Sequence, residues 1–341
     1  MLRIFHNTNY DFLNWWRTAA VLTIAFIVAG LLSFAIKGAP NYSIEFTGGT
    51  LMHFRFKAPP QAADIRAALD AGNIPNVEIQ QFGTENEFVV RAQNSAAIAE
   101  QSKGAEDIAR RIETALTTKY GPGSFDVVQT EAVGPRVGGE LRRGAAIAML
   151  LASFVTLIYL AIRFEWRFGV AAVLSTAHDV LITLAFIKIF HIEVSLTVVA
   201  AILTLLGYSG NDTIIIFDRV RENLKKDRRS SLHEILNRSI NETLPRSLLT
   251  HATTLAATLA LLIFAGEVLR PFSLVMTFGI FVATFSSMYV ASPLLMYIEN
   301  RWPRSVEDSH RAGVSHTVGK AEVPTESRTP AKPRKEGLQA R

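Results

Sequence analysis

A chain of 341 residues, 49% of them hydrophobic and only 19% charged, with a mean hydropathy of +0.22, carries more apolar material than a soluble domain needs. It has no cysteine, which excludes disulfide staples, cysteine-ligated zinc and thiol catalysis. Its formal charge of +5 would suit nucleic acid, but the position of the basic residues argues for a different use.

The first 17 residues are polar and aromatic, with Phe5, Tyr10, Phe12, Trp15 and Trp16. Trp15, Trp16 and Arg17 read as an interfacial anchor, and the absence of an Ala-x-Ala site after the first apolar run speaks against a cleaved signal. Six stretches approach the ~20 apolar residues that a membrane-crossing helix needs. They are Thr18–Ile36, Gly144–Ile162, Gly169–Phe190, Val194–Phe217, Ser247–Phe264 and Phe272–Ile298.

Lysine and arginine set the orientation. The segment 219–246 holds eight, against four acidic residues, while the loops between spans three and four and between five and six hold almost none. Both termini are therefore expected in the cytoplasm. Positive-inside retention accounts for the basic segment, so no nucleic-acid partner is expected.

Residues 37–143 form an insertion between spans one and two, with 12 basic and 13 acidic residues. Ile44–Phe56 alternates like a strand, Pro59-Pro60 opens a helix over Ala62–Ala71, and Val77–Phe82 with Phe88–Ala92 reads as a hairpin. A long helix is expected over Ser95–Tyr120, its apolar positions being Ile98, Ile108, Ile112 and Leu116, and a last strand over Phe125–Thr130. The order β-α-β-β-α-β is ferredoxin-like. The expected fold is thus a polytopic six-helix membrane protein with a small α+β extracytoplasmic domain. Gly48 and Gly49 are expected to allow positive φ or a bulge, and His53 reads as an ordinary strand histidine.

Ionisable groups at bilayer depth cost at least about 2.5–3.5 kcal/mol each, so they pair or line a hydrated path. Span three carries His178 and Asp179; span four carries Gly207, Tyr208, Ser209, Gly210, Asn211, Asp212 and Thr213. The paired glycines allow close helix approach or a bend. Span five is expected to open at Pro245, with Arg246, Thr250, Thr253, Thr254 and Thr258 forming a polar stripe along one face. Asp179, Asp212 and Arg246 are expected to converge on one cavity, as a proton relay or as glue between helices. Lys188, near the outer end of span three, is expected to snorkel.

These residues resemble the SecD/SecF family of protein-export membrane subunits, over roughly residues 10–300. The resemblance is carried by Phe46-Thr47-Gly48-Gly49-Thr50, by Gly134 and Gly138 within Val133–Leu141, and by Arg163–Arg167. It continues through His178-Asp179 and the run from Gly207 to Asn223. It implies a resistance-nodulation-division-type fold and a subunit of the bacterial inner membrane partnered by SecD and the SecYEG channel, with YajC beside them, acting on translocating preproteins. Together with their position inside the bilayer, it implies that Asp212, Arg246, Asp179 and His178 serve a proton relay, with no cofactor beyond the coupling proton and no catalysis. Two positions depart from the family: Glu45 where Asp is usual, and His251 where Ser is usual.

A half-transporter of the same type for a small molecule or lipid is the rival reading; the insertion is small for a substrate cavity. No Walker A, His-Glu-x-x-His, Gly-x-Gly-Asp or Gly-x-Ser-x-Gly sequence occurs, which argues against ATP use and intramembrane hydrolysis. Residues 304–341, rich in Pro, Ser, Lys and Arg, are expected to be a disordered cytoplasmic tail.

Overall fold

The computed structural model describes residues 8–74, 77–92, 104–163, 165–227, 229–266 and 268–302. The expected tail and the expected helical start over 95–103, including Ile98, lie outside the described residues.

Six helical segments are long and apolar enough to cross a membrane. The first is α1 (Trp16–Lys37), apolar on all sides, with Gly30 its single buried residue. A methyl at Gly30 would stand 2.3 Å from the Ala185 Cβ, so this glycine sets how closely α1 packs on the third span. Lys188 does not snorkel. It is buried, donates to the carbonyls of Gly38 (2.9 Å) and Ala39 (3.0 Å), and lies over the Phe34 ring. Those carbonyls follow the C-terminus of α1, where a cation is favoured.

The stretch read as one strand over Ile44–Phe56 divides in two. Ile44–Thr47 forms a single helical turn, α2, closed by Gly48 at φ 75°, and β1 (Gly49–Phe56) follows. Gly48 and Gly49, at φ 75° and 149°, turn the chain where a side chain would strain it. The rest is α3 (Ala62–Ala71), β2 (Val77–Gln81), β3 (Glu87–Ala92), α4 (Gly104–Tyr120) and β4 (Phe125–Val133). The antiparallel sheet has order β2-β3-β1-β4, as a ferredoxin-like split requires. Phe54, Ile65, Leu69, Val90, Ile112 and Leu116 fill the core between the sheet and its two helices.

The chain re-enters the membrane region in α5 (Pro135–Arg163), then α6 (Trp166–Ile189), α7 (Leu196–Lys226) and α8 (Leu232–Phe264). The basic segment 219–246 is therefore mostly helix, not loop. Apolar residues at helical spacing, among them Val220, Leu224, Ile235, Leu236 and Ile240, keep α7 and α8 packed beyond the membrane. The turn closes with a capping box, Ser231 with Glu234. Pro245 consequently lies inside α8 and does not open it. The sixth span is α9 (Arg270–Ser286), a π-helical turn at Ser287–Ala291, and α10 (Ser292–Arg301). The interior belongs to α6, α7 and the sixth span, about half buried, while α1 and α5 form the rim.

His53 proves partnered: its Nε2 lies 3.0 Å from Glu87, which also accepts from Arg55 at 2.9 Å. The Arg55 guanidinium, helped by His53, holds the Glu87 carboxyl below the ordinary 4.5. A depressed carboxyl stabilises the fold above its unfolded value and ceases to as pH falls through the depressed one. Glu87→Gln should therefore weaken β1 and β3 by roughly 1 kcal/mol at neutral pH, Arg55 being largely solvated. Amide hydrogen exchange on the detergent-solubilised chain checks this; the gap from wild type should close below pH 4.5.

Candidate functional site

At the heart of the bundle, α6, α7 and α8 exchange hydrogen bonds through side chains at matching depth. Asp179 on α6 is 1% exposed. Its Oδ1 lies 2.9 Å from His178 Nδ1, and its Oδ2 accepts from the Ser209 hydroxyl of α7 at 2.5 Å. Three residues on, one turn along the same face of α7, Asp212 is 4% exposed and accepts at Oδ1 from the Ser247 hydroxyl of α8 at 2.5 Å. Ser247 also presents its carbonyl to His251 Nδ1 at 2.7 Å, and the Tyr208 ring stands edge-on to His251 at 5.3 Å. A serine hydroxyl thus joins each carboxylate to the next helix in the chain.

The expected meeting of Asp212 and Arg246 does not occur. Adjacent residues on a helix point about 100° apart. In α8 the inward face is Leu244, Ser247, His251 and Thr258, all buried, which leaves Arg246 exposed on another face. Thr250 and Thr253 share its exposure and Thr254 is half-buried. Their hydroxyls donate to carbonyls of their own helix: Thr250 to Arg246, Thr253 to Leu249 and Thr250, and Thr254 to Thr250. On α7, Thr213 is buried whereas Asn211 is exposed. Ser247 escaped the sequence reading because Arg246 beside it carried the stronger signal. Only the burial of 244, 247, 251 and 258 in the structure locates it.

Asp212 Oδ2, His178 Nε2 and His251 Nε2 are buried without a protein hydrogen-bond partner among the described residues. The glycines divide by role. Gly138 packs tightly, its would-be methyl 3.0 Å from the Gly48 amide, whereas Gly134, Gly207 and Gly210 have no neighbour within 4 Å of that position. Of the two glycines expected to allow helix approach or a bend, Gly207 is exposed and Gly210 buried, and a methyl at either would meet no other helix of the described residues within 4 Å.

These features define a polytopic membrane protein with a paired acidic site inside its helical bundle. A family model for the protein export membrane protein SecD/SecF, C-terminal region, matches residues 112–301. The chain is 68% identical over 305 residues to the protein translocase subunit SecF of Gemmatimonas aurantiaca, covering 89% of this chain and 91% of that one. It is 43% identical over 290 residues to the SecF subunit of Desulfurispirillum indicum, covering 84% and 91%. The crystal structure of SecDF, a translocon-associated membrane protein from Thermus thermophilus, superposes with a TM-score of 0.75 at 37% identity over 86% of this chain. A second SecDF structure, in a super-membrane-facing form, gives 0.62 at 36% over 87%. In each case this chain spans 39% of the SecDF chain. The chain belongs to the SecF family of protein translocase subunits.

The bridges make a direct forecast for stability. Ser209→Ala strands a buried Asp179 oxygen and should cost about 1–3 kcal/mol. Thr253→Val, at an exposed position whose hydroxyl bonds only its own helix, should stay within about 0.5 kcal/mol of wild type. Denaturant titration of the solubilised protein measures both, and equal losses would remove the distinction between bridge and stripe.

Proposed function

We propose that this chain assists preprotein export by coupling proton movement to translocation, with Asp212 as the proton-carrying group. The observation that carries the reading is Asp212 itself: deeply buried midway along α7, bonded by a single hydroxyl, with Oδ2 unpartnered. Such a group is expensive as structure alone and useful as a reversible acid. One charge moving through ~100 mV releases ~2.3 kcal/mol, so a few protons suffice to move a domain. The site acts as a relay and carries out no catalysis of its own.

The reading includes a SecD-type subunit as partner and, through it, the SecYEG channel, YajC and the translocating preprotein. Support for a partner comes from the outward faces of α7 and α8. Ala200, Thr204, Gly207 and Asn211 follow one exposed stripe of α7, and Arg246, Thr250 and Thr253 are exposed on α8. Small and polar side chains at this depth suit helix contact, not lipid. Arg246 therefore serves this outer surface. The positive-inside asymmetry supports an inner-membrane location with both termini in the cytoplasm.

Asp212→Asn keeps size and loses the reversible charge. The variant should assemble at normal abundance while export stimulation falls to the level measured without a proton gradient. Precursor protection in membrane vesicles reads the outcome, and normal gradient-dependent stimulation would reduce Asp212 to packing.

A further inference from the structure

The short helix α2 stands at the junction of the outer domain and the membrane bundle, and the relay does not use it. Two of its links are covalent, because α1 leads into it and β1 leads out. A third comes from α5, whose Gly138 packs on the backbone of Phe46 and Gly48 so closely that a methyl would stand 3.1 Å from the Phe46 carbonyl oxygen.

The fourth link is to a helix with no covalent need to be there. The backbone of Val194 donates to the Asn41 carbonyl at 2.7 Å and accepts from the Ser43 amide at 2.9 Å, so Tyr42 and Val194 pair as a one-residue parallel bridge. Two residues later α7 begins, and the amide of its first residue, Leu196, donates to Glu45 Oε2 at 2.6 Å. Ser43 Oγ donates to the same oxygen at 3.1 Å. A carboxylate here satisfies an otherwise orphaned helix amide and meets the positive end of the helix dipole. From β3, Arg91 reaches the same turn, donating to Glu193 at 2.6 Å and pairing with Glu78 at 3.3 Å. Burial pushes the Glu193 carboxyl up and Arg91 pulls it back, as expected of a partly dry contact.

Tethering alone does not explain this contact, because the chain already holds the domain through α1 and α5. What the contact adds is a fixed orientation of the sheet relative to α7. That helix is continuous from Leu196 through Asp212 to Lys226 and contains no proline. Asp212 lies roughly 24 Å along it from the junction, at about 1.5 Å per residue.

We propose that the α2 junction is a permanent strut that transmits movement of α7 to the outer domain, with Glu45, Arg91 and Glu193 as its positioning residues. The strut rests on the proton-relay reading of Asp212, and the two are separable by experiment. In membrane vesicles holding the assembled complex, proton entry is followed with a pH-sensitive dye and translocation by protection of a model precursor. The double substitution Glu45→Ala with Arg91→Ala should lower translocation about fivefold or more, the lower range of energetic coupling between sites, and leave proton entry intact. If that pair fails to accumulate, Glu45→Gln alone, which retains an acceptor for Leu196, should show the same split in weaker form.

Both activities intact, or both lost together at normal abundance, would overturn the strut. The absence of native cysteine allows a second arm. Tyr42→Cys with Val194→Cys should form a disulfide on oxidation without loss of translocation, because the contact persists throughout the cycle. Inactivation by oxidation with recovery on reduction would instead make the junction a latch that must open, against the proposal. Asp212→Asn in the same vesicles tests the relay separately: normal proton entry there would fail the relay reading, whatever the strut variants show.

Discussion

A carboxylate in hydrocarbon must find its hydrogen-bond donors within the protein, and much of the bundle's arrangement follows from that requirement. Asp179 and Asp212 are each met by a serine hydroxyl from the next helix, so α6 is joined to α7 and α7 to α8 at nearly one depth. Hydroxyl donors stabilise the ionised form without cancelling its charge. An arginine fork in the same place would hold the carboxylate ionised and leave a buried charge pair, which is a poor source of stability and a poor exchanger of protons. The inward position of Ser247 and the outward position of Arg246 thus have one meaning. Around Asp179 and Asp212 the helix-to-helix donors are serine hydroxyls, and Arg246 faces outward.

The same geometry explains why the chain looks incomplete on one side. A glycine such as Gly207 normally signals a neighbouring helix, yet it is exposed, and outside its own turns of α7 no described atom stands within 4 Å of the missing side chain. By contrast Gly279 is so close to Leu205 that an added methyl would stand 2.6 Å away, which shows what a filled glycine contact looks like in this fold. The open stripe and the filled one lie on different faces of α7. One holds the chain's own sixth span, and the other is free for helices outside it.

Much of this was readable from residues whose chemistry has few alternatives. Six long apolar runs, the Pro59-Pro60 break before α3, and the alternation of the sheet strands lead to the fold because membranes and sheets impose simple periodicities. The buried acids were legible for the same reason: a carboxylate inside a span is rare. What escaped was anything that depends on rotation about a helix or on contacts distant in sequence. Ser247 differs from Arg246 by one residue and about 100°, and the louder residue pointed away. Pro245 resembled a helix start because a first turn is where proline fits best, but the packing of Ile235, Leu236 and Ile240 carried the helix through it. Glu45 resembled a strand residue because nothing local reveals that its partner is the amide of Leu196, 151 positions away.

The ends of α7 place Asp212 in a particular mechanical setting. At the domain end, Glu45 and the Val194 bridge hold the first turn. At the basic end, Asn223 donates to Ser239 and Glu242 of α8, and Arg219 pairs with Glu242 and Glu222. A helix clamped at both ends does not answer a change of charge by sliding freely; it answers where its side-chain restraint is weakest. Within 207–211 that restraint is missing at the two glycines, although Tyr208 and Ser209 between them are bonded to α8 and α6. This stretch directly precedes Asp212. Without Cβ atoms the backbone there has the widest conformational range of any turn in the helix. On the proposed relay, protonation at Asp212 and the compliance needed to respond to it fall within the same two turns, and on the proposed strut the rest of the helix carries the response outward.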